Sequence, residues 1–388
     1  METTEKTAVI PRSREKSKMP ENMTAPLSPA LRKPEILSGA PAPDFSFQGI
    51  PGVEVTPAGT RFAIWYGGGQ GEGPDNFLML ARSAPDDGAW HVTHRIVHPH
   101  PEVRCFDPAI WIAPDGRLLL FWSQSRSVFN KNISDGVNGV WVSVCTAPDA
   151  PLPAWSTPRR IAAGIMLNKP IGSGKKWLLP VSVWADGVGG GKVPPSLAAR
   201  VGAGVLVTED GGSTFQWRGS VRIPSGNIYD EHVIAELSGD RLLMLIRTTW
   251  GIAEAFSTDG GFTWSPASPF RFGGPNSRFA LRRLRSGALL LVNHRERPGA
   301  TGDWRPREML TAYLSDDDGE TWSSGMLIDP REGISYPDLA ETADGTILCI
   351  YDRDRYGAGE ILLSTFTERE VRSGKPAGKP EIVNALRR

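Results

Sequence analysis

Three short stretches of this sequence resemble one another. T-E-D-G-G-S-T-F occupies residues 208–215, S-T-D-G-G-F-T-W residues 257–264 and S-D-D-D-G-E-T-W residues 315–322. Each lies between two short runs of alternating apolar residues, so each is predicted to be a hairpin turn between two strands. The Asp accepts backbone N–H groups, the Gly supplies a positive φ and the aromatic residue closes the base of the hairpin. Three copies indicate a repeated supersecondary unit.

A second phrase recurs along the chain: a strand, a turn ending in Gly, then a dense apolar strand. Its copies occupy residues 52–66, 109–123, 170–183, 233–247, 279–294 and 339–352. Six units of four strands predict an all-β fold, a six-bladed β-propeller with four-stranded antiparallel blades. A β-sandwich with coincidental turns is the alternative. The last unit lacks an obvious fourth strand, which residues 379–386 or a strand before Phe47 are expected to supply.

Composition narrows the class of protein. Lys plus Arg and Asp plus Glu both number 43, so the chain has no charge excess for nucleic acid or a membrane surface. Residues 1–34 are polar and lack the apolar core of a secretion signal, so we expect a disordered tail followed by one propeller over residues 35–388. No run is long enough to span a membrane, and three distant cysteines indicate a reducing, cytoplasmic compartment. The oligomeric state is left open.

Polar residues precede or open the predicted innermost strands. In a propeller these strands all begin at one end of the central axis, so side chains from different blades converge there. The candidates for this ligand site are Gln48, Asp107, Asn168, Lys169, Asp230, Glu231, Asn276, Arg278, Tyr336 and Asp338.

The Asp-box turns, the six units and the phrases at 227–247 and 334–352 resemble the sialidase (neuraminidase) superfamily in its bacterial BNR-repeat branch. The resemblance spans about residues 45–370. It implies that Tyr336 is a nucleophile and that Glu231 is its general base. A neutral phenol approaches an anionic anomeric centre with less repulsion than a carboxylate, but it needs a base because its ordinary pKa is near ~10.

The resemblance also implies three arginines that hold a substrate carboxylate, since guanidinium groups bind carboxylates bidentately. Arg247 matches the second arginine and Arg307 the third. The first belongs to an aromatic-Arg-Ile-Pro phrase, but this chain reads F-Q-G-I-P at residues 47–51, with Gln48 after the aromatic. Arg278 either compensates or is an exposed charge at a strand end.

The acid/base of such an enzyme is expected in the loop after the second strand of blade one. That loop, residues 66–76, contains Glu72 near the expected position and Asp75 three residues later. Either carboxyl group could protonate a leaving oxygen and then activate water. Spacing favours Glu72.

No metal or cofactor is expected. His91, His94 and His98 fall in one predicted strand, where alternation points them to different faces. His232 and His294 lie at strand ends near the axis, where they either bind sugar hydroxyls, act as a base or serve the fold.

Three functional hypotheses follow. The leading one is an exo-acting retaining glycoside hydrolase that releases a terminal, acidic sugar from an oligosaccharide or glycoconjugate. The second is a polysaccharide lyase or rhamnosidase-type enzyme in which His232 or His294 is the base and Arg247 and Arg307 neutralise a uronate. The third is a propeller that binds a glycan or protein without catalysis, since one scaffold supports many functions.

Overall fold

The computed structural model describes residues 29–39, 43–126, 139–185, 193–226, 229–295 and 306–386. In these residues, strands form six antiparallel sheets arranged in a ring, which is a six-bladed β-propeller. The predicted fold class is therefore confirmed. The predicted disordered tail lies outside the described residues as far as residue 28.

Blades one to three follow one another along the chain. Blade one contains β1 (Glu35–Ser38), β2 (Gln48–Val55), β3 (Arg61–Gly67), β4 (Phe77–Ser83) and β5 (His91–Val97). Blade two contains β6 (Val103–Ile112), β7 (Leu118–Arg126), β8 (Gly139–Cys145) and β9 (Arg159–Ala163). Blade three contains β10 (Ile171–Ser173), β11 (Lys176–Val183), β12 (Gly202–Thr208) and β13 (Gln216–Val221).

Blades four to six complete the ring. Blade four contains β14 (His232–Glu236), β15 (Leu242–Thr248), β16 (Gly251–Ser257) and β17 (Ser268–Pro269). Blade five contains β18 (Ala280–Arg283), β19 (Leu289–His294), β20 (Leu310–Ser315) and β21 (Met326–Asp329). Blade six contains β22 (Ile334–Glu341), β23 (Ile347–Arg353), β24 (Glu360–Phe366) and β25 (Glu381–Asn384). The first full strand of each blade, β2, β6, β10, β14, β18 or β22, is its innermost strand.

The apolar core is divided among the spaces between blades. Six clusters of buried side chains each join two neighbouring sheets, because both faces of a blade carry apolar residues. Between blades two and three, for example, the rings of Trp111 and Trp177 meet edge to face with centroids 5.1 Å apart. The innermost strand β2 packs against both β6 and β22, so the first and last blades meet.

The fourth strand of blade six is β25, which lies within residues 379–386. The first of the two segments expected to supply this strand is therefore the one that does. The strand before Phe47, β1, instead adds a fifth strand to blade one by pairing with β5. The outermost strands of blades one and six are thus supplied by chain near the two ends of the described region.

Helical structure is sparse. The described residues contain 3-10 turns at Pro29–Leu31 and Pro195–Arg200 and one short helix, α1 (Glu368–Ser373). Thr367 and Glu370 cap the start of α1 reciprocally, and Gly374 ends it in a left-handed conformation. Among the described residues, no helix has the length and apolar character needed to cross a membrane.

Candidate active site

The innermost strands of three blades begin with the same backbone irregularity. Ile50, Asp107 and Tyr336 have φ of 58°, 47° and 55°, each precedes a proline, and the strand register shifts at each of them. These are β-bulges, and proline fits there because the ladder needs no N–H at that point. A bulge changes the direction of the side chain at the bulged residue. Asp107 and Tyr336 therefore do not follow the regular alternation of side chains along their strands.

Tyr336 meets Glu231 and Arg247 from blade four. Its hydroxyl donates to Glu231 Oε1 over 3.0 Å and accepts from Arg247 Nη1 over 2.7 Å. The same Arg247 Nη1 lies 2.7 Å from Glu231 Oε2. All three side chains are less than 10% exposed. The distance between the phenol and the carboxylate thus lies within the range needed for proton transfer.

Burial raises the pKa of the Tyr336 hydroxyl well above its ordinary value. The charge of Glu231 raises it further, whereas Arg247, Arg307 and Arg355 lower it. The effect of burial exceeds that of the arginines, so the phenol keeps its proton at neutral pH. A nucleophilic role would therefore require a base in contact with the hydroxyl, which is where Glu231 lies.

Asn276 positions two arginines. Its side-chain oxygen accepts from Arg247 Nε over 2.6 Å, and its backbone oxygen accepts from Arg247 Nη2 over 3.0 Å and Arg307 Nη2 over 2.9 Å. The Arg307 guanidinium lies 5.5 Å from the Tyr336 ring centroid. We call the group formed by Tyr336, Glu231, Arg247, Asn276 and Arg307 the axial site.

A third arginine reaches this site from the loop between β23 and β24. The Arg355 guanidinium stacks 4.2 Å from the Tyr336 ring centroid, nearer than either Arg247 or Arg307. Its Nε donates to Asp352 over 3.0 Å and its Nη2 to Ser335 Oγ over 2.9 Å. The sequence analysis did not select Arg355.

The two carboxyl groups expected after the second strand of blade one have different surroundings. Glu72 accepts a 2.9 Å hydrogen bond from the Tyr66 hydroxyl and lies 3.6 Å from Arg104 Nη1. Tyr66 packs in the same buried cluster as Tyr336, so this hydrogen bond holds Glu72 on the side of the axial site. Asp75 is exposed and folds back against Gly69 in its own loop. The structure therefore brings Glu72 to the site rather than Asp75.

Asp107 is a buried carboxyl group at the start of blade two. Burial raises its pKa to about 7, the charges of Glu231 and Glu72 raise it too, and Arg104 opposes them. Below about pH 7 Asp107 is consequently neutral and able to donate a hydrogen bond to a ligand.

Arg278 and Asn168 belong to a buried network on the axis and do not enter the axial site. Arg278 Nε donates to Asn168 over 2.7 Å, its Nη1 donates to Pro51 O over 3.1 Å, and its Nη2 lies 3.6 Å from Asp338. Lys169 Nζ lies 3.1 Å from the same Asp338. Arg278 is only 2% exposed, so it is not a surface charge at a strand end. Its partners are Asn168, Pro51 and Asp338, so it does not replace the missing arginine beside Tyr336.

Gln48 also has a structural place. Its side chain is fully buried, accepts a 2.9 Å hydrogen bond from Trp65 Nε1 and donates to the Gly359 carbonyl of blade six.

The His232 ring turns into the packing between blades three and four, beside the backbone carbonyl of Asp230. The Asp230 carbonyl accepts from Ser182 Oγ over 2.6 Å, and the two His232 ring nitrogens face the Asp230 and Gly204 carbonyls at 2.9 and 2.8 Å. Burial lowers the pKa of His232 to about 4. This ring is therefore held by backbone rather than presented to a ligand.

His294 is buried as well, with Nδ1 3.0 Å from Glu308 O, and burial lowers its pKa to about 4. His91, His94 and His98 have separate partners, Asp87, Thr93 and the Arg32 carbonyl. Within the described residues no cluster of three or more His, Cys, Asp or Glu side chains is suited to a metal ion.

A cavity of about 430 Å³ opens at the other end of the axis. The later halves of the innermost strands line it, together with Asn168, Lys169 and Asp338. The buried network around Arg278 separates this cavity from the axial site. We assign function to the axial site because the tyrosine, arginines and carboxyl groups converge there.

Comparison with known proteins bears on the family and the fold. The sequence matches the BNR repeat-like domain over residues 59–349, most of the chain. The fold and site thus define a sialidase-like β-propeller with BNR repeats. The chain belongs to the BNR repeat-like domain family.

Solved structures share the fold at low sequence identity. The Hadza microbial sialidase Hz136 is 17% identical with a TM-score of 0.64, over 84% of this chain and 66% of that chain. The NanB sialidase from Streptococcus pneumoniae is 13% identical with a TM-score of 0.64, over 90% of this chain and 72% of that chain. The intramolecular trans-sialidase from Ruminococcus gnavus is 14% identical with a TM-score of 0.61, over 87% of this chain and 98% of that chain. No protein with a curated description matches the sequence.

Proposed function

We propose that this protein is an exo-acting retaining glycoside hydrolase that releases a terminal acidic sugar from an oligosaccharide or glycoconjugate. The observation that carries the proposal is the 3.0 Å contact between the Tyr336 hydroxyl and Glu231, with Arg247 bonded to both groups. The likeness of the fold to sialidases supports a glycosidase.

The first step of the proposed reaction uses Tyr336 and Glu231. Glu231 takes the phenolic proton as the Tyr336 oxygen bonds to the anomeric carbon, and the bond from that carbon to the leaving oxygen breaks. Arg247, 2.7 Å from the phenol oxygen, stabilises the negative charge that develops there. Glu72 protonates the leaving oxygen.

The second step releases the sugar. Glu72, now ionised, takes a proton from water while the water oxygen bonds to the anomeric carbon and the bond to Tyr336 breaks. Glu231 returns its proton to the phenol. Two displacements at one carbon retain its configuration.

The arginines favour an anionic substrate. Arg307 has no acidic partner within ion-pair distance among the described residues, whereas Arg247 pairs with Glu231. Arg307 is partly buried, and water screens its charge less than that of an exposed arginine, so it would gain from an acidic partner. A carboxylate on the sugar would supply it through two parallel hydrogen bonds.

Replacing Tyr336 with Phe tests the proposal. The substrates are 4-methylumbelliferyl glycosides of N-acetylneuraminic acid, its deaminated analogue and glucuronic acid. We expect turnover of the accepted glycoside to fall by at least about 10³-fold, because the nucleophile is lost while the ring remains. The Tyr351→Phe variant is the matched control, since that buried tyrosine of blade six contacts Asp329 outside the axial site.

Unchanged turnover in Tyr336→Phe would remove this tyrosine from the mechanism. Cleavage of uronate oligosaccharides to a product absorbing in the near ultraviolet would favour the lyase hypothesis. Tight binding of glycans by the wild-type protein without any turnover would favour a binding propeller.

A further inference from the structure

We infer that Arg355 binds the carboxylate of the substrate and determines the preference for acidic sugars. Its side chain occupies the space beside Gly49 of blade one, where a larger residue would exclude it. This inference rests on the proposed function and extends it, since Arg355 comes from a loop of blade six and not from an innermost strand. Its basis is the packing, anchoring and charge around this one side chain.

Gly49 and Arg355 occupy one space. A Cβ atom added to Gly49 would lie 2.8 Å from Arg355 Cδ and Nε and 2.9 Å from Cγ. Gly49 does not have a positive φ, so its backbone would accept any residue. Glycine is required here by space, because a side chain at residue 49 would displace the Arg355 stem.

The backbone and guanidinium of Arg355 are both held in place. The Arg355 carbonyl accepts from Gln48 N over 3.3 Å, which ties the loop to blade one directly beside Gly49. Asp352, fully buried, accepts from Arg355 Nε and also from Ile50 N over 2.6 Å. Arg355 is therefore preorganised, and little side-chain entropy remains to be lost on binding.

One edge of the guanidinium remains available. Nε and Nη2 contact Asp352 and Ser335, whereas Nη1 donates to no described residue. The side chain is 12% exposed and covers the face of Tyr336. The guanidinium thus lies over the ring of the tyrosine that we propose as the nucleophile.

Three arginines surround Tyr336, and this arrangement favours an anionic ligand. The guanidinium carbons of Arg247, Arg307 and Arg355 lie 5.9, 5.5 and 4.2 Å from its ring centroid. Glu231 and Asp352 pair with Arg247 and Arg355, which leaves Arg307 without a carboxylate among the described residues. A ligand carboxylate beside Arg307 and Arg355 would give Arg307 the acidic partner that it lacks among the described residues.

The experiment compares binding of acids with binding of their methyl esters. N-acetylneuraminic acid, its deaminated analogue and glucuronic acid are titrated calorimetrically into the wild-type protein, with each methyl ester as the uncharged partner. Arg355→Ala is expected to weaken binding of the accepted acid by roughly 10- to 100-fold and to leave the ester nearly unchanged. Arg355→Lys keeps the charge but loses the planar fork, so an intermediate loss is expected.

Arg353→Ala is the matched control, since Arg353 lies two residues away and pairs with Glu360. It should keep the preference for the acid. The double variant Gly49→Arg with Arg355→Ala moves the guanidinium from blade six to blade one and should regain part of the preference. This rescue also shows that the single variant lost recognition and not its fold.

The outcomes separate the inference from the proposed function. Retention of the acid preference in Arg355→Ala overturns the inference, as does a wild-type protein that binds acids and esters equally. A wild-type protein that prefers the acids through Arg355 but releases no sugar contradicts the proposed function and leaves the inference standing.

Discussion

Tyr336 has a backbone conformation that most bulky residues avoid. Its φ of 55° lies in the left-handed region, which costs on the order of 1–3 kcal/mol for such a residue. The bulge before Pro337 imposes this conformation, and the packing of Arg355 on the ring helps to hold it. The result is a phenol directed at Glu231 on another blade, and this contact is the feature on which the proposed chemistry depends.

Asp107→Asn is expected to stabilise the protein by about 2–4 kcal/mol at pH 8 and to leave its stability near pH 4 almost unchanged. Burial raises the pKa of Asp107 to about 7 in the folded state, whereas the unfolded chain ionises near 3.8. The unfolded state therefore releases a proton that the folded state keeps, and stability falls as pH rises from about 4 to 7. Asparagine removes the charge and tolerates the φ of 47°. Urea unfolding at several pH values measures the difference.

Asp86→Asn is the control for this experiment, because Asp86 is exposed in the turn between β4 and β5. It should change stability by less than about 0.5 kcal/mol at either pH. A destabilised Asp107→Asn protein at pH 8 would contradict the assigned environment of Asp107.

The aspartate turns between the third and fourth strands of blades three, four and five are built alike. In the turn of blade four, Asp259 accepts from the Thr263 N–H and hydroxyl, and Ser257 Oγ accepts from Gly261 N over 2.9 Å. The preceding blade adds a contact, since Arg218 donates to the Gly260 carbonyl over 2.6 Å. Each turn therefore closes its own hairpin and helps to join neighbouring blades.

Asp259→Asn is expected to lower the melting temperature at pH 7, with a smaller difference at pH 2.5. Hydrogen bonds from the side chain and backbone of Thr263 lower the pKa of Asp259 to about 2. The stabilisation is present above the unfolded pKa near 4 and is lost as pH falls through about 2. Differential scanning fluorimetry at pH 7, 4 and 2.5 measures it.

Glu320→Gln provides the comparison for that variant, because Glu320 is an exposed residue of the equivalent turn in blade five. Its melting curve should follow the wild type at each pH. An equal loss in both variants would show that the Asp259 hydrogen bonds are not the cause.

At the scale of the whole molecule, blades one, three, five and six are joined across the axis by buried charges. Asp338 accepts from Val53 N over 2.9 Å and lies 3.1 Å from Lys169 Nζ and 3.6 Å from Arg278 Nη2. Lys169 also donates to Leu339 O over 2.6 Å. This network forms the floor beneath the axial site, so the site is supported by contacts between blades.

Asp338→Ala is expected to lower the free energy of unfolding by about 3–5 kcal/mol, because it leaves two buried cations without their shared carboxylate. Guanidinium unfolding measures this loss. Asp316→Ala, which removes an exposed ion pair with Arg372, should cost less than about 1 kcal/mol. Equal losses in the two variants would contradict the role given to the axial network.

Local patterns in the sequence were sufficient to predict the architecture. Apolar alternation and the Asp-Gly turns each act over fewer than about ten residues, so the hairpins, their repetition and the six blades follow from nearest neighbours. The same repeat predicts where each innermost strand begins. Tyr336 and Glu231 precede or open innermost strands, so the repeat marked them as candidates, whereas Arg247 was selected only through the resemblance to sialidases. The structure brings the three side chains into contact.

Long side chains and loops were decided by the tertiary structure. Arg278 and Arg355 carry the same guanidinium group. The sequence offered Arg278, which precedes an innermost strand, either as a substitute for the missing arginine or as an exposed charge, and it did not single out Arg355. Only the fold shows that Asp338 and Asn168 hold Arg278 on the axis. The loop that carries Arg355 is hydrogen-bonded to Gln48, and this places the Arg355 side chain beside Gly49. The reason is physical: a flexible arginine takes its direction from distant partners, which the sequence alone does not place around it.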